Sequence, residues 1–247
     1  MIGANSVEDS GRLFYDKYYN NIPFVNEKHF ISEISKLVKK ENIDAIYPTM
    51  DSAISILKVN ESEIGCSVIA SSKETTLICE SKKLTYKLLR DFIKCPKVYD
   101  NNKDLEFPLF IKPNNGYGSR RAYKVNNKLE LKKFSKELGS NKILTEFLPG
   151  EEYTIDCFTD FNGVLKFIGP RPRKRTRIGI SVNTESIDLK SRSGFNKIAN
   201  EINKRLKFNG AWFFQVKKNN NDEYVLLEIA SRIAGSSSLY KLSVITL

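Results

Sequence analysis

A lysine followed by a glycine-containing loop is the first feature of this sequence that could do chemistry. The apolar run 109–111 ends at Lys112, and Gly116 and Gly118 follow in a polar loop that closes with Ser119. Glycines let a backbone approach phosphate oxygens closely with its amides pointing inward. Because the lysine precedes the loop and a second strand pattern follows it, the order favours a hairpin lid over phosphates rather than a P-loop, which would open a helix. An ordinary glycine-containing β-turn is the alternative.

Polar residues alternate along a second segment. A Pro149-Gly150 pair, which suits the central positions of a type II turn, comes just before Glu152, Thr154 and Asp156. In a strand these three side chains share one face, and the intervening apolar residues share the other. We therefore expect a polar strand face directly after a tight turn, with an ordinary solvent-facing strand as the alternative.

A pair of oxygen ligands is predicted toward the end of the chain. If Asn221-Asp222 forms a two-residue turn, the flanking strands bring Gln215 opposite Glu228, with ~4.5–5.5 Å between their Cβ atoms. Glu228 follows an apolar run and is expected to be buried. Amide and carboxylate oxygens at this spacing suit Mg²⁺, which commonly takes one or two carboxylates together with nucleotide phosphates. The alternative is an ion pair between Glu228 and Arg232 at the sheet edge.

Basic residues dominate the segment 171–177, and the chain carries a net charge of +11 from 40 basic and 29 acidic residues. A basic excess implies anionic partners such as phosphates, acidic metabolites or nucleic acid. We hypothesise that one or two of these bases reach a γ-phosphate or a substrate carboxylate, with Arg173 and Arg175 as the candidates. A solvated basic loop and a nucleic-acid-binding protein are the alternatives. Because His29 is the one histidine, the chemistry has to rest on Lys, Arg, carboxylates and backbone amides.

The composition excludes several protein classes. The 247 residues are 40% apolar and 28% charged, an ordinary globular balance. No apolar run reaches the ~18–20 residues that a membrane-spanning helix needs, and the N-terminus does not resemble a secretory signal. The four cysteines are scattered, which argues against a zinc site and a disulfide framework. A cytoplasmic protein without a membrane partner is predicted.

Local patterns place the candidate residues on an α/β region followed by an α+β region. Between 30 and 70, helical and short apolar patterns alternate, which predicts a parallel sheet with covering helices and Asn26 as the cap of the first helix. A helix over 82–92 then precedes the glycine-loop hairpin. The other predicted elements are strands over 143–147, 153–158, 164–168, 211–217 and 224–229, and helices over 129–138 and 195–206.

Taken in order, these pieces resemble the ATP-grasp superfamily, in its carbamoyl-phosphate-synthase-like and amino-acid-ligase-like branch. Ser81-Lys82-Lys83 is similar to the family's helix-opening "DK" segment, and 107–113 is similar to its phosphate-lysine strand. Residues 116–119 match the family's glycine loop. Residues 146–152 are similar to its hinge pattern E-(Y/F)-(I/L)-x-G-x-E, and 228–232 are similar to its E-I-N-P-R metal segment.

The resemblance implies an α+β fold in which two lobes grip ATP, preceded by a partial α/β pre-ATP-grasp domain. The expected domains are a pre-ATP-grasp domain over 1–78, an N-terminal lobe with the glycine loop over 79–145 and a C-terminal lobe with the metal site over 146–247. The implied activity is an ATP- and Mg²⁺-dependent ligation, with Mn²⁺ as an alternative ion. A small carboxylate becomes an acyl-phosphate, which an amine or similar nucleophile attacks.

The resemblance also implies roles for single residues. The ATP phosphates would be contacted by Lys82, Lys112 and the backbone of Gly116, Gly118 and Ser119. The adenine would be bound by Glu146, Phe147 and Leu148, and the ribose hydroxyls by Glu152. Gln215 and Glu228 would bind Mg²⁺, and Arg232 would stabilise the transferring phosphate or the acyl-phosphate.

Two departures from the family pattern bear on activity. Ala230 stands where the pattern has an asparagine, and Gln215 is a neutral ligand, so a second metal position is weakened. The first strand and glycine turn expected of the pre-ATP-grasp domain are missing, and the chain stops where the family continues. The resemblance therefore implies a chain truncated at both ends, and an ATP-binding remnant without turnover is the alternative function.

Overall fold

The computed structural model describes residues 1–100, 104–116, 121–177, 180–185, 187 and 192–239. Its N-terminal part is built from short parallel strand pairs and helices. In chain order the elements are β1 (Ile2–Ala4), a 3-10 helix (Ser10–Phe14), β2 (Lys17–Tyr19), α1 (Phe30–Glu41), β3 (Ala45–Ile46), α2 (Asp51–Val59), α3 (Glu61–Ile64), β4 (Ser67–Val68) and α4 (Lys73–Glu80). β1 pairs with β2 and β3 pairs with β4, both in parallel, in two separate sheets.

Helix α1 shows how the sequence forms this part. Phe30, Ile34 and Val38 recur every fourth residue, so one side of the helix is apolar and buries against α2, α3 and β4. The helix begins after His29 rather than at the predicted cap Asn26, because Glu27 and Phe24 close a turn before it. The predicted parallel pairing between the strands near 45 and 67 is present, over two residues of each strand.

A small antiparallel sheet follows, in the order β6-β5-β7. Its elements are α5 (Lys82–Leu89), β5 (Leu109–Lys112), β6 (Tyr123–Val125), α6 (Lys128–Leu138) and β7 (Ile143–Glu146). Helix α6 buries Leu131 and Leu138 against the sheet, in a core that includes Leu109 and Ile111. The opposite faces of β5 and β7 are left for the site described below.

A four-stranded antiparallel sheet in the order β13-β12-β8-β9 forms the C-terminal part. The elements are β8 (Glu152–Thr159), β9 (Leu165–Pro172), β10 (Arg175–Arg177), β11 (Ile180–Asn183), α7 (Ser193–Arg205), β12 (Gly210–Lys218) and β13 (Tyr224–Ala230). β10 and β11 pair with each other in a separate hairpin. A hairpin turn at Asn162-Gly163 joins the predicted strands β8 and β9, and Gly163 supplies a positive φ of 78° there.

The largest core lies on one face of this sheet. Tyr153, Ile155 and Cys157 of β8 alternate into it, as the sequence predicted, and α7 covers the same face. Helix α5 packs on this core as well, through Tyr86 and Leu89, and so it joins the small sheet to the large one. The boundaries predicted at 78 and 145 remain a prediction.

The turn before β8 differs from the sequence prediction. Gly150 does not take the positive φ that the second central position of a type II turn requires. Instead it lies against β12: a Cβ at this position would be 2.6 Å from Cβ and 2.8 Å from the carbonyl oxygen of Lys218. A glycine stands here because two backbones approach closely, not because the turn needs a left-handed residue. None of the described helices is long and apolar enough to cross a bilayer.

Candidate functional site

A cleft of about 410 Å³ lies between the small sheet and the large sheet. The small sheet contributes Phe110 and Lys112, and the large sheet contributes residues of β8, β9, β12 and β13. Asp51 and Ser52, at the start of α2, close one end. The cleft is therefore lined by all three parts of the chain, and its floor is the polar face of the large sheet.

Lys82 lies at the start of α5 and is almost fully buried, with 6% of its surface exposed. Its Nζ donates to the carbonyl oxygen of Gly116 at 3.1 Å and lies 3.6 Å from Glu228 Oε2. The side chain of Asn114 ties the loop to the helix, because its Oδ1 accepts from the amide of Lys83 at 2.8 Å. The base of the glycine loop, the helix-opening lysine and the carboxylate of β13 thus meet at one place.

Lys112 is the second buried lysine of the cleft. Its Nζ donates to Tyr86 Oη at 3.1 Å and to the carbonyl oxygen of Leu227 at 3.3 Å. Burial, and to a smaller extent the charge of Lys82, lowers the pKa of Lys112 to about 7. The negative charges of Glu228 and Glu152 offset this lowering only in part, and an anionic ligand in the cleft would raise the pKa of Lys112 further.

The hinge residues lie where β7 passes into β8. Glu146, Phe147, Leu148 and Glu152 all line the cleft. Glu146 Oε1 accepts from the amide of Lys97 at 2.9 Å, so its side chain is committed to the strand-like segment beside β7. Glu152 instead pairs with Arg173 Nε at 3.1 Å. The ring of Phe147 faces two lysines, with Nζ of Lys124 4.4 Å from its centroid.

One transverse row of polar side chains crosses the large sheet on the cleft side. Arg171 pairs with Thr154, Thr154 with Gln215, and Gln215 with Glu228. The predicted partnership of Gln215 and Glu228 is confirmed, but for a different reason. The turn holds Lys218 opposite Tyr224, and a bulge after Gln215 shifts the register by one residue. Glu228 is half-buried rather than buried, because its side chain faces the cleft.

The basic segment divides into buried and exposed residues. Arg173 is half-buried in the cleft lining, whereas Arg175 is exposed on β10 and lies outside that lining. The chain leaves the sheet after Pro172, so the alternation that turns 171 and 173 toward the cleft does not continue to 175. Arg171, which is not among the predicted site residues, is fully buried and donates through Nε to Asp156 at 2.7 Å.

Arg232 contacts the N-terminal part of the chain. Its Nε and Nη2 donate to the two carboxylate oxygens of Asp51, both at 2.7 Å, and its Nη1 donates to the carbonyl oxygen of Ile233 at 3.1 Å. The considered ion pair with Glu228 is replaced by this bidentate one. Asp51 was not among the predicted site residues, since nothing local marks a partner 181 positions away.

The structure brings most of the predicted site residues together. Around this cleft it places Lys82, Lys112, Gly116, Glu146, Phe147, Leu148, Glu152, Arg173, Gln215, Glu228 and Arg232. Gly118 and Ser119 lie outside the described residues.

Comparison with known proteins identifies this arrangement. The family model described as "ATP-grasp in the biosynthetic pathway with Ter operon" matches residues 140–247. The biotin carboxylase of Campylobacter jejuni superposes with a TM-score of 0.80 at 16% identity, covering 98% of this chain and 61% of that one. The chain has the ATP-grasp fold. The resemblance to this superfamily predicted from the sequence, and the α+β fold class, are thereby confirmed.

Other ATP-grasp structures are similar over nearly the whole chain. The ADP complex of N5-carboxyaminoimidazole synthetase from Staphylococcus aureus has a TM-score of 0.77 at 15% identity, covering 98% of this chain and 66% of that one. The L-amino acid ligase of Bacillus licheniformis has a TM-score of 0.73 at 13% identity, covering 92% and 58%. In sequence, the chain is 27% identical to the phosphoribosylamine–glycine ligase of Methanosphaera stadtmanae, over 55% of this chain and 36% of the relative. The chain thus spans about a third of this relative.

The described residues fit a nucleotide-bound cation better than a cage made of protein ligands alone. No group of three or more His, Cys, Asp or Glu that could hold a metal exists among the residues that the structure describes. One carboxylate, Glu228, and one amide, Gln215, lie side by side on the cleft floor, and Ala230 offers no side-chain ligand. This donor set suits Mg²⁺, which completes its coordination with phosphate oxygens and water.

Proposed function

We propose that this chain is the nucleotide-binding part of an ATP-dependent ligase that joins a small carboxylate to an amine or a similar nucleophile. The observation that carries the proposal is the convergence of two buried lysines and a carboxylate–amide pair between the two sheets of an ATP-grasp fold. The L-amino acid ligase of Bacillus licheniformis, which has a similar fold, supports the assignment to the ligase class.

Different residues of the cleft would bind the adenine, the ribose and the phosphates of ATP. Glu146, Phe147 and Leu148 line the cleft and would recognise the adenine, and Glu152 would hold the ribose hydroxyls. Lys82 and Lys112 would donate to phosphate oxygens, with the backbone of Gly116, Gly118 and Ser119 above them. Gln215 and Glu228 would hold Mg²⁺, which when bound neutralises phosphate charge and favours transfer to an oxygen nucleophile.

The chemistry needs positioning and charge neutralisation more than proton transfer. A carboxylate oxygen attacks the γ-phosphorus, the bond to the β-phosphate oxygen breaks, and ADP leaves. The nucleophile then attacks the acyl carbon and inorganic phosphate departs. Arg232, fixed by Asp51, and Arg173, fixed by Glu152, are the cations that would face the transferring group. Arg175 would take part only through a movement of the β10–β11 hairpin.

Thermal unfolding with and without Mg-ATP tests the nucleotide site. A ligand at ~100 times its Kd adds ~2.7 kcal/mol of stability, which is a rise of several degrees for a domain of this size. The rise is expected in the wild type and in Lys83→Ala, whose exposed side chain lies outside the cleft, and it should be lost in Lys112→Ala. Absence of a Mg-ATP-dependent rise in the wild type would contradict the proposal.

A second candidate is nucleotide binding without turnover. It is favoured by Ala230, which leaves the cleft with a single carboxylate at the expected metal position. Release of ADP that depends on an added carboxylate, followed over a panel of carboxylates and amines, separates the two. The ligase requires such release, whereas the binding-only protein shows the thermal rise alone. A location in the cytoplasm remains a prediction of the sequence.

A further inference from the structure

One buried nitrogen of the cleft has no hydrogen-bond partner in the part of the chain that the structure describes. It is Nη1 of Arg171, a residue that is 0% exposed. Asp156 accepts from Nε at 2.7 Å and from Nη2 at 3.4 Å, and so occupies the side-on edge of the guanidinium. The end-on edge, which carries one N–H of Nη1 and one N–H of Nη2, has no acceptor for Nη1 among the described residues. Leaving a buried, charged donor without an acceptor costs free energy. A ligand that brings an acceptor oxygen to Nη1 would remove this cost.

Arg232, another arginine of the cleft, differs in this respect. Each nitrogen of its guanidinium has a partner, two through Asp51 and one through the carbonyl oxygen of Ile233. Asp156 thus holds Arg171 through two of its three guanidinium nitrogens, and the third, Nη1, has no partner among the described residues. Asp156 fixes the plane of the guanidinium from the neighbouring strand, since the two residues lie on the cleft side of β8 and β9.

The surroundings of Arg171 favour an anion over a neutral group. Arg171 ends the transverse row that runs through Thr154 and Gln215 to Glu228, so it lies two strands from Gln215 and three strands from Glu228. Adjacent strands are ~4.8 Å apart, which puts its backbone ~10 Å from that of Gln215. The planar guanidinium presents a fork of donors that matches the oxygens of a carboxylate or a phosphate.

We propose that the end-on edge of Arg171 is a docking point for an oxyanion bound in the cleft, with Asp156 as its positioning residue. The oxyanion is either a γ-phosphoryl group of the nucleotide or an acidic group of the acceptor. The proposal rests on the proposed function, because it takes the ligands of the cleft to be a nucleotide and a carboxylate. It adds a recognition residue that neither the family pattern nor the predicted site contains.

The test compares Arg171→Lys with the wild type by isothermal titration. Lysine keeps the positive charge but loses the fork, and folding of the variant is checked by its thermal transition. The titrants are Mg-ADP, Mg-AMPPNP (which carries a γ-phosphoryl group) and inorganic phosphate with and without Mg-ADP. Arg205→Lys is the matched control, because Arg205 also pairs with a carboxylate, Glu201, but lies on α7 outside the cleft lining.

Two results support the proposal and assign the source of the oxyanion. A Kd for Mg-AMPPNP that rises about tenfold, with Mg-ADP unchanged, assigns the edge to the γ-phosphoryl group; a lost charge-assisted hydrogen bond has this magnitude. A tenfold weaker binding of inorganic phosphate, with both nucleotides unchanged, assigns it to the acidic group of the acceptor. Unchanged affinities for all titrants in a folded variant would overturn the proposal and leave Nη1 to a water molecule.

Failure of the nucleotide site itself is distinguishable. If the wild type binds no Mg-ADP, the proposed function fails, while the comparison of inorganic phosphate binding between wild type and Arg171→Lys still decides the proposal. Should Arg171→Lys not fold, Arg171→Gln combined with Asp156→Asn removes both buried charges together. The same titrations on that double variant then have the same supporting and overturning results.

Discussion

Binding of a nucleotide is expected to take up a proton at Lys112. Burial, aided by the nearby charge of Lys82, lowers the pKa of Lys112 to about 7, so at pH 8 roughly nine tenths of this amine is neutral. Phosphate oxygens beside Nζ favour the charged form and raise the pKa again. Binding at pH 8 should therefore capture ~0.9 proton per nucleotide, and the uptake should fall below half a proton under pH 7.

The sign of the pH effect on affinity follows from this uptake. Above pH 7 the free protein must gain a proton to bind, so the Kd rises with pH, by up to ~10-fold per unit. Phosphate groups titrate near ~6 themselves, so the comparison is best made between pH 7.5 and 9. Titration calorimetry of Mg-ADP in buffers of different ionisation enthalpy measures the number of protons directly.

Two variants separate Lys112 from other groups. Lys112→Arg carries a permanent charge, so its proton uptake and the pH dependence of its Kd should both disappear. Lys83→Arg makes the same change at an exposed lysine outside the cleft and should behave as the wild type. A wild type that binds Mg-ADP at pH 8 with less than ~0.2 proton taken up would refute the reasoning, because Lys112 would then be charged in the empty cleft.

Three further changes test the proposed metal site, the ion pair between Asp51 and Arg232, and the core. Glu228→Gln should shift the Mg²⁺ dependence of stabilisation by nucleotide to higher Mg²⁺ concentrations, tenfold for each ~1.4 kcal/mol of lost ligand energy; an unchanged midpoint in thermal unfolding would remove Glu228 from the metal site. Asp51→Asn should lower the free energy of unfolding in urea by ~1–3 kcal/mol, because Arg232 loses a half-buried bidentate partner; wild-type stability would mean that the pair is not formed in solution. Ile155→Ala should cost ~2–5 kcal/mol in the same assay, since its side chain is fully buried between the large sheet and α7, and a loss under ~1 kcal/mol would contradict the described core.

The family, the fold class and most of the cleft could be predicted from the sequence, because short motifs and alternation are local properties. The period of two along β8 predicts which side chains enter the core, and Tyr153, Ile155 and Cys157 do so. The partnership of Gln215 with Glu228 was also predicted, although through a turn that does not form. A bulge after Gln215 shifts the register by one residue, so the predicted pair is present although the predicted turn is not.

Tertiary structure alone decided the electrostatics of the site. The pKa of Lys112 is lowered because α5 and β13 bury its amine. The sequence of its own strand does not predict this burial. Arg232 meets Asp51 across 181 positions, and Arg171 rather than Arg175 turns inward because β9 ends at Pro172. Hydrophobic periodicity is read along one element, whereas the burial of a charge depends on every element that packs around it.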